Sequence, residues 1–295
     1  MKKNTSFTLI ELLVVIVIIG VIAGVIMVTV SSSVSNATFA RAKAFSSNVS
    51  NSMLLNLVSE WNFDEPQVGN ITKDSWGVND GTIYSTTTLI EYWNSSSGEC
   101  VFGGCYEFSG DDYIDCGNVL STANSYTFSF WGKITDLSNN KGILGFYGTS
   151  SNVGFSKINN DLLMFLSGNN YRYWNASNNS AIDSIENNWH FFTIIITGFN
   201  QADISNSKLY IDGTLMIVSS TMSTGTTSEV NNLIIGKNSY GNYLGSLDDV
   251  RVYNSILSSS QIKQNYIAGL NSLLGKGLIS ESEFKEKLSE LSSNK

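Results

Sequence analysis

The chain reads as mainly β, with a long helix ahead of a β-rich body and a short helical tail behind it. Three observations lead there. A polar leader carrying two lysines runs into about 24 almost wholly apolar residues, Phe7 to Val30. From Trp61 to about Asn254, short segments alternating in period two are separated by clusters of Gly, Asn, Asp and Ser. Such a pattern is that of a β-sandwich or barrel of about 200 residues. Beyond Ser258 the periodicity becomes helical.

The apolar run comes first. At about 1.5 Å per residue it extends roughly 36 Å, enough to cross the hydrocarbon core of a bilayer. A secretory signal has a shorter apolar region, of about 7–15 residues, closed by a small-residue cleavage site. No Ala-x-Ala site closes this one, so it is expected to stay attached. Lys2 and Lys3 place the N-terminus in the cytoplasm and the remainder outside. Glu11 is the single carboxylate in the run. A charge inside a membrane-length helix costs about 2.5–3.5 kcal/mol on insertion scales, which marks it as functional. Past the polar stretch Ser31 to Asn36, apolar residues recur at Ala42, Phe45, Val49, Met53 and Leu57. Those steps of three and four give one apolar helical face. Phe7 to Leu57 is therefore predicted to be one helix of roughly 75 Å.

The segment Ser6-Phe7-Thr8-Leu9-Ile10-Glu11-Leu12-Leu13 resembles the class III leader of type IV pilins, whose hallmark is G-F-T-L-I-E-L-L. The resemblance implies cleavage between Ser6 and Phe7 by a prepilin peptidase/methyltransferase, leaving Phe7 as an N-methylated terminus. It also implies that Glu11 meets the Phe7 amine of a neighbouring subunit and sets register during assembly. Ser6 departs from the glycine usual before the cut. The kinking proline common in pilin helices is absent too, which makes Gly20 and Gly24 the points of flexibility. The implied partners are other pilin subunits, the type IV pilus assembly machinery and, before assembly, the membrane.

Within the body, Tyr126, Phe128 and Phe130 fall on one face of a predicted strand, and Trp189 to Thr197 is nearly continuous apolar sequence. The latter suits a strand covered on both sides. Lys208 to Ile211 meets Asp212-Gly213 and then Thr214 to Val218, a hairpin signal. Five stretches also resemble, in order, the markers of laminin-G-like, concanavalin A-like jelly rolls. They are Trp61-Asn62-Phe63-Asp64-Glu65, Phe108 to Ile114, Trp189-His190, Leu209 to Gly213, and Gly245 to Tyr253. That resemblance implies a two-sheet jelly-roll sandwich. The resulting division is a leader at 1–6, a helix at 7–57 (transmembrane over 7–30), a laminin-G-like domain at 58–257 and a helical tail at 258–295. In the tail, Ser258 and Gln261 form a capping box, and Gly269 is expected to end the first helix. Ser280 and Glu283 repeat the device ahead of a second helix, which resembles the short SHOCT module.

Charged residues make up 14% of the chain and its net charge is −8. No Lys/Arg stripe exists to displace counterions, so nucleic acid is excluded as a partner. Asn36, Asn48, Asn70, Asn94 and Asn175 open Asn-x-Ser/Thr sequons. Of three cysteines, Cys100 and Cys105 flank a tight loop in an exported domain, and their disulfide is favoured over pairing with Cys116. Cys116 alternates with Ile114 and reads as a small buried hydrophobe.

The same pattern argues against an enzyme. Retaining glycosidases need carboxylates about 5–5.5 Å apart. Glu60 and Asp64 are about 13 Å apart by strand rise. The only histidine, His190, lies in an apolar strand, and no nucleophile elbow or Cys/His metal spacing occurs. Calcium is the one cofactor the jelly-roll resemblance implies, with Asp64, Asp112 and Asp248 as ligands alongside loop carbonyls. For carbohydrate, Tyr171, Tyr173, Trp174, Tyr240 and Tyr243 lie amid Asn and Gly and offer rings to sugars. The function read from the sequence is a type IV pilin-like subunit that displays a laminin-G-like head for adhesion. The alternatives are a membrane-tethered or pilus-tip glycan-binding adhesin, and a pseudopilin of a type II-like secretion system. On the pilin reading, Glu11→Ala leaves membrane insertion intact and abolishes or sharply reduces filaments. Electron microscopy of sheared filaments checks this, and a normal yield would count against the assembly role.

Overall fold

The computed structural model describes residue 13 and residues 54–85, 93–94, 99–120, 125–135, 140–147, 153–158, 161–166, 170–179, 182, 185–198, 205–222 and 232–293. Ser6, Phe7, Glu11 and, Leu13 apart, the predicted stalk as far as residue 53 lie outside these residues. Among the described residues no helix is long and apolar enough to cross a membrane. Contacts divide the chain into Met1–Ser52 and Met53–Lys295, and the second unit holds the sheets and the tail helices.

In chain order the strands begin with β1 (Leu57–Trp61), β2 (Ile71–Thr72), β3 (Gly81–Tyr84), β4 (Trp93–Asn94), β5 (Cys105–Ser109), β6 (Tyr113–Asp115) and β7 (Tyr126–Ile134). They continue with β8 (Lys141–Tyr147), β9 (Val153–Ile158), β10 (Asp161–Leu166), β11 (Asn170–Asn175), β12 (His190–Ile196) and β13 (Lys208–Ile211). The last are β14 (Thr214–Leu215), β15 (Ser220–Met222), β16 (Asn232–Ile235), β17 (Lys237–Asn238), β18 (Gly241–Asn242) and β19 (Leu244–Tyr253). Helices α1 (Ser259–Gly275) and α2 (Glu281–Ser293) follow.

Two sheets form the sandwich. One has eight strands in the order β14-β13-β12-β7-β19-β5-β4, with β1 also on β19; the other has nine, β15-β11-β10-β9-β8-β16-β6-β3-β2. The expected two-sheet architecture is therefore the observed one. Alternation supplies the core: Phe128, Phe130, Phe192 and Ile194 of the first sheet face Phe146, Phe155, Leu162 and Ile235 of the second. Each such fully buried side chain contributes about 1.5–3 kcal/mol relative to exposure. β12 is buried at every position, as its continuous apolar sequence predicts. Asp212 (φ 52) and Gly213 (φ 74) make the tight turn between β13 and β14 with both residues left-handed.

The outer surface of the eight-stranded sheet is also apolar, and α1 covers it. Ser258 and Gln261 form the expected capping box at the start of α1. Tyr266 stacks on Trp131 at 5.7 Å between ring centroids and lies 6.4 Å from Phe191. Gly269 does not end this helix, contrary to the sequence expectation. It lies in the helix interior, where a Cβ would come within 2.1 Å of the Trp131 ring. The helix ends instead at Gly277 (φ 73). Gly277 N–H bonds Leu274 O at 3.0 Å and Leu278 N–H bonds Leu273 O at 2.9 Å, the paired contacts of a Schellman stop.

These contacts fix the sign of one substitution. In an open helix, alanine is better than glycine by about 1 kcal/mol. At position 269 the added methyl overpacks against Trp131, so Gly269→Ala is expected to destabilise by about 1–3 kcal/mol. Chemical denaturation of the full chain in detergent measures it, and a stabilised variant would contradict the packing.

Candidate functional site

The outer face of the nine-stranded sheet differs from its counterpart. Ile83, Ile114 and Trp174 point inward, so the alternating positions Tyr84, Tyr113, Asp115, Tyr171 and Tyr173 point away from the core. The β17–β18 hairpin lies across the middle of this face. Asn238 anchors it: its side-chain amide donates to Leu144 O and Phe155 O, both at 3.0 Å. A Cβ at Gly142 would lie 2.4 Å from Gly241 O, so the hairpin approaches β8 only because position 142 is glycine.

The hairpin separates two aromatic sites. On one side, Tyr171 and Tyr173 meet edge to face at 5.0 Å between centroids. Burial, then the neighbouring Tyr240, Tyr171 and Asp161, push the Tyr173 phenol up. Tyr240, on the turn of the hairpin, is 39% exposed. On the other side, Tyr84 stacks on Tyr113 at 5.0 Å with the rings 13° from parallel. The Lys237 ammonium sits 4.5 Å from the centroid of the Tyr113 ring. A recess of about 170 Å³ opens there, lined by Tyr113, Asp115, Asn232, Ile234 and Lys237. Asn232 donates to Asp115 Oδ1 at 3.0 Å, so the recess presents a held amide, a carboxylate and a cation beside a flat ring. Such a mixture of ring faces and bidentate polar groups suits polyhydroxylated ligands.

A second constellation lies where β19 changes partners. Its first half pairs with β5 and its second half with β1, with a register shift against β7 between Asp248 and Arg251. That shift brings Asp248, the residues just after β1 and the loop just before β5 to one place. The loop is closed by a Cys100–Cys105 disulfide with Cα atoms 5.4 Å apart, the pairing favoured from sequence. Asp248 Oδ2 accepts from Phe102 N–H at 2.8 Å, and Asp64 Oδ1 accepts from Gly104 N–H at 3.1 Å. Burial pushes the Asp248 carboxyl well above its ordinary range and Asp249 up to about 7. Arg251 pairs with both Glu60 (2.6 Å) and Asp249 (2.9 Å).

Comparison with known proteins fits this geometry. Residues 108–263, more than half of the chain, match the family described as the concanavalin A-like lectin/glucanases superfamily. The chain belongs to that superfamily. Residues 1–27 match the prokaryotic N-terminal methylation motif, so the leader of a type IV pilin precedes the lectin-like domain. Among curated proteins none matches the sequence significantly. Solved structures share the fold at low identity. Domain 4 of an extracellular arabinanase from Geobacillus stearothermophilus, in complex with arabinotriose, is 16% identical with a TM-score of 0.52, over 70% of this chain and 97% of that one. The binding domain of Botulinum neurotoxin serotype D is 18% identical, TM-score 0.53, over 75% and 53%. Trypanosoma rangeli sialidase with the inhibitor DANA is 12% identical, TM-score 0.51, over 71% and 32%. The chain thus spans nearly all of the first, about half of the second and a third of the third.

Within the lectin-like domain the sequence-derived site residues divide. Tyr171, Tyr173 and Tyr240 come together on the outer face. Trp174 and Tyr243 do not join them: both are fully buried, Trp174 beneath Arg172 and Tyr243 edge-on to Phe108. Polar neighbours in sequence make both rings look exposed, whereas strand alternation turns Trp174 inward and Tyr243, between β18 and β19, packs into the core against Phe108. Asp64 and Asp248 converge, but Asp112 does not. It accepts from Ser109 N–H at 2.8 Å at the opposite end of β5, roughly 13 Å away by strand rise. Among the described residues no group of three or more His, Cys, Asp or Glu side chains is placed to hold a metal. His190 Nδ1 lies 2.8 Å from Asp212 Oδ2, which also accepts Phe191 N–H through Oδ1 at 2.9 Å, so this pair shapes the hairpin. Burial pushes the Cys116 thiol well above its ordinary value, in keeping with a buried hydrophobe. Tyr84, Tyr113 and Lys237 were not singled out from sequence. Their signal was the outward phase of Tyr84 and Tyr113 beside the inward Ile83 and Ile114.

Proposed function

We propose that the chain is a type IV pilin-like subunit that polymerises through its N-terminal helix and displays the lectin-like domain on an extracellular filament. The N-terminal methylation motif over residues 1–27 is the observation that carries this reading. Its chemistry is that of charge pairing in a nonpolar environment. Cleavage after Ser6 frees an α-amine on Phe7, and Glu11 supplies the carboxylate that compensates it in the next subunit. A buried charge missing its partner costs about 3–5 kcal/mol, so the pair selects one axial register over its neighbours. The route runs from a single-pass membrane precursor, through prepilin peptidase and the assembly machinery, to the cell surface. In this reading the chain itself catalyses no step. Glu60 is held by Arg251, Asp64 by the disulfide loop and His190 by Asp212, so the carboxylates and the imidazole serve the fold.

Mass spectrometry of sheared filaments tests this reading. The expected N-terminal peptide begins at Phe7 and carries one added methyl group; a chain that retains Met1 to Ser6 in filaments overturns it. Low abundance in those filaments, with the same processing, would point to a minor subunit or pseudopilin.

We further propose that the head binds carbohydrate through the outer face of the nine-stranded sheet, a reading supported by the two tyrosine sites flanking the β17–β18 hairpin. A glycan array probed with the full chain in detergent is expected to give hits that Tyr173→Ala or Tyr113→Ala weakens by about 2- to 13-fold, corresponding to about 0.5–1.5 kcal/mol for a lost ring contact. Binding unchanged in both variants would remove this face from consideration.

A further inference from the structure

The loop between Cys100 and Cys105 is gripped on two sides. Its N–H groups at Phe102 and Gly104 are taken by Asp248 and Asp64. Its carbonyl groups face the end of α1. Lys276 Nζ donates to Cys100 O at 3.0 Å and also to Phe102 O, and Ser272 Oγ donates to Val101 O. Lys276 is the C-cap of α1, and the left-handed Gly277 that follows fixes where the helix stops and the chain turns. The placement of the ammonium is therefore built into the helix end. The Lys276 charge acts on both Asp248 and Asp64. Asp248 is 0% exposed, and its Oδ1 has no hydrogen-bond partner.

We infer that the Lys276 ammonium is the resident cation of this oxygen cradle, filling the place where the jelly-roll resemblance leads one to expect calcium. The donor set supports a cation: two backbone carbonyls turned to one side of a small loop, one fully buried carboxylate oxygen left over, and a second carboxylate nearby. Calcium takes six to eight such oxygens. Here the side chain of Lys276 already occupies the two carbonyls. An ammonium has three donors, and two of them are used on Cys100 and Phe102. The same ammonium also acts electrostatically on Asp248, whose Oδ1 is otherwise unpartnered. Burial pushes the Asp248 carboxyl up towards its neutral form, and the Lys276 ammonium opposes that shift and favours the carboxylate. The consequence concerns the tail: α1 is an integral part of the head, latched to the disulfide loop by the charge at its own C-terminal end and independent of dissolved metal, and α2 is tied to α1 through Lys263 Nζ and Leu291 O.

Thermal unfolding of the full chain in detergent, in EDTA and in millimolar calcium chloride, separates the two cations. The wild-type midpoint is expected to be the same in both media. Lys276→Met keeps the apolar stem and removes the charge; its midpoint is expected to fall by about 5 °C in EDTA. Calcium is expected to restore part of that loss and to bind the variant alone in a calorimetric titration. Lys276→Arg retains a cation, so it is expected to fold and ignore calcium even where the methionine variant fails to accumulate. A wild-type protein that loses stability in EDTA overturns the inference, because a metal would then be the resident cation. So does a methionine variant as stable as wild type in EDTA, one that is destabilised but indifferent to calcium, or an arginine variant that becomes calcium-dependent.

Discussion

The outer surface of the eight-stranded sheet is too apolar to face water, and much of the molecule is arranged around covering it. Trp131 and Phe191 project from adjacent strands on the side away from the core. Leaving two such rings exposed would forfeit several kcal/mol and create a sticky patch. Helix α1 removes the problem, provided its axis can come close to the indole. Gly269 grants that approach and Tyr266 fills the space beside it. Once α1 is fixed there, its C-terminal end falls beside the disulfide loop, where Lys276 and Ser272 meet the loop carbonyls. The tail helices thus follow from the composition of one strand face.

Covering one outer surface leaves the other to interact. On the nine-stranded sheet the outward positions combine tyrosine with Asn, Asp and Lys, and its cover is a two-stranded hairpin. The hairpin is held by a buried amide, Asn238, whose two carbonyl contacts make its position definite. It divides the face into two sites, each with a pair of tyrosines. A rigid sheet bearing small aromatic platforms is a better sugar receptor than mobile loops, because less ordering entropy is lost on binding.

How much of this the sequence disclosed depended on the range of the interaction. Local chemistry was legible. The Asp212-Gly213 turn, the Ser258/Gln261 capping box and the Cys100–Cys105 pair each reside in a few adjacent residues, and each is present. Alternation gave Phe128 and Phe130 their side of the sheet. At Trp174 the same alternation, counted from the outward Tyr173, sends the indole inward against the pull of its polar sequence neighbours. Non-local convergence was illegible in detail. Asp64, Asp112 and Asp248 look equivalent in sequence, yet only topology tells that β5 separates Asp112 from the other two. Gly269 suffered the opposite error. A glycine near a helix end reads as a stop, but here it answers a tryptophan on a distant strand, and the real stop is eight residues later at Gly277.

The two ends of the chain make sense together when affinity is considered at the level of a filament. A recess of about 170 Å³ is small beside the about 300–1,000 Å³ of typical ligand pockets, so the proposed site would bind weakly on its own. In the proposed assembly each subunit repeats the same face at a fixed interval along the fibre, so a second contact on the same surface becomes effectively intramolecular. Avidity can then exceed the single-site affinity by about 10²–10⁴ without any new contact. A head displayed in this way benefits from stability that does not depend on its surroundings. The disulfide, the apolar seat of α1 and the internal ammonium of Lys276 all supply it from within the chain. On that proposal Glu11 and Phe7 would act on the head's function at a distance, because the register they set would determine the spacing at which the tyrosine faces are presented.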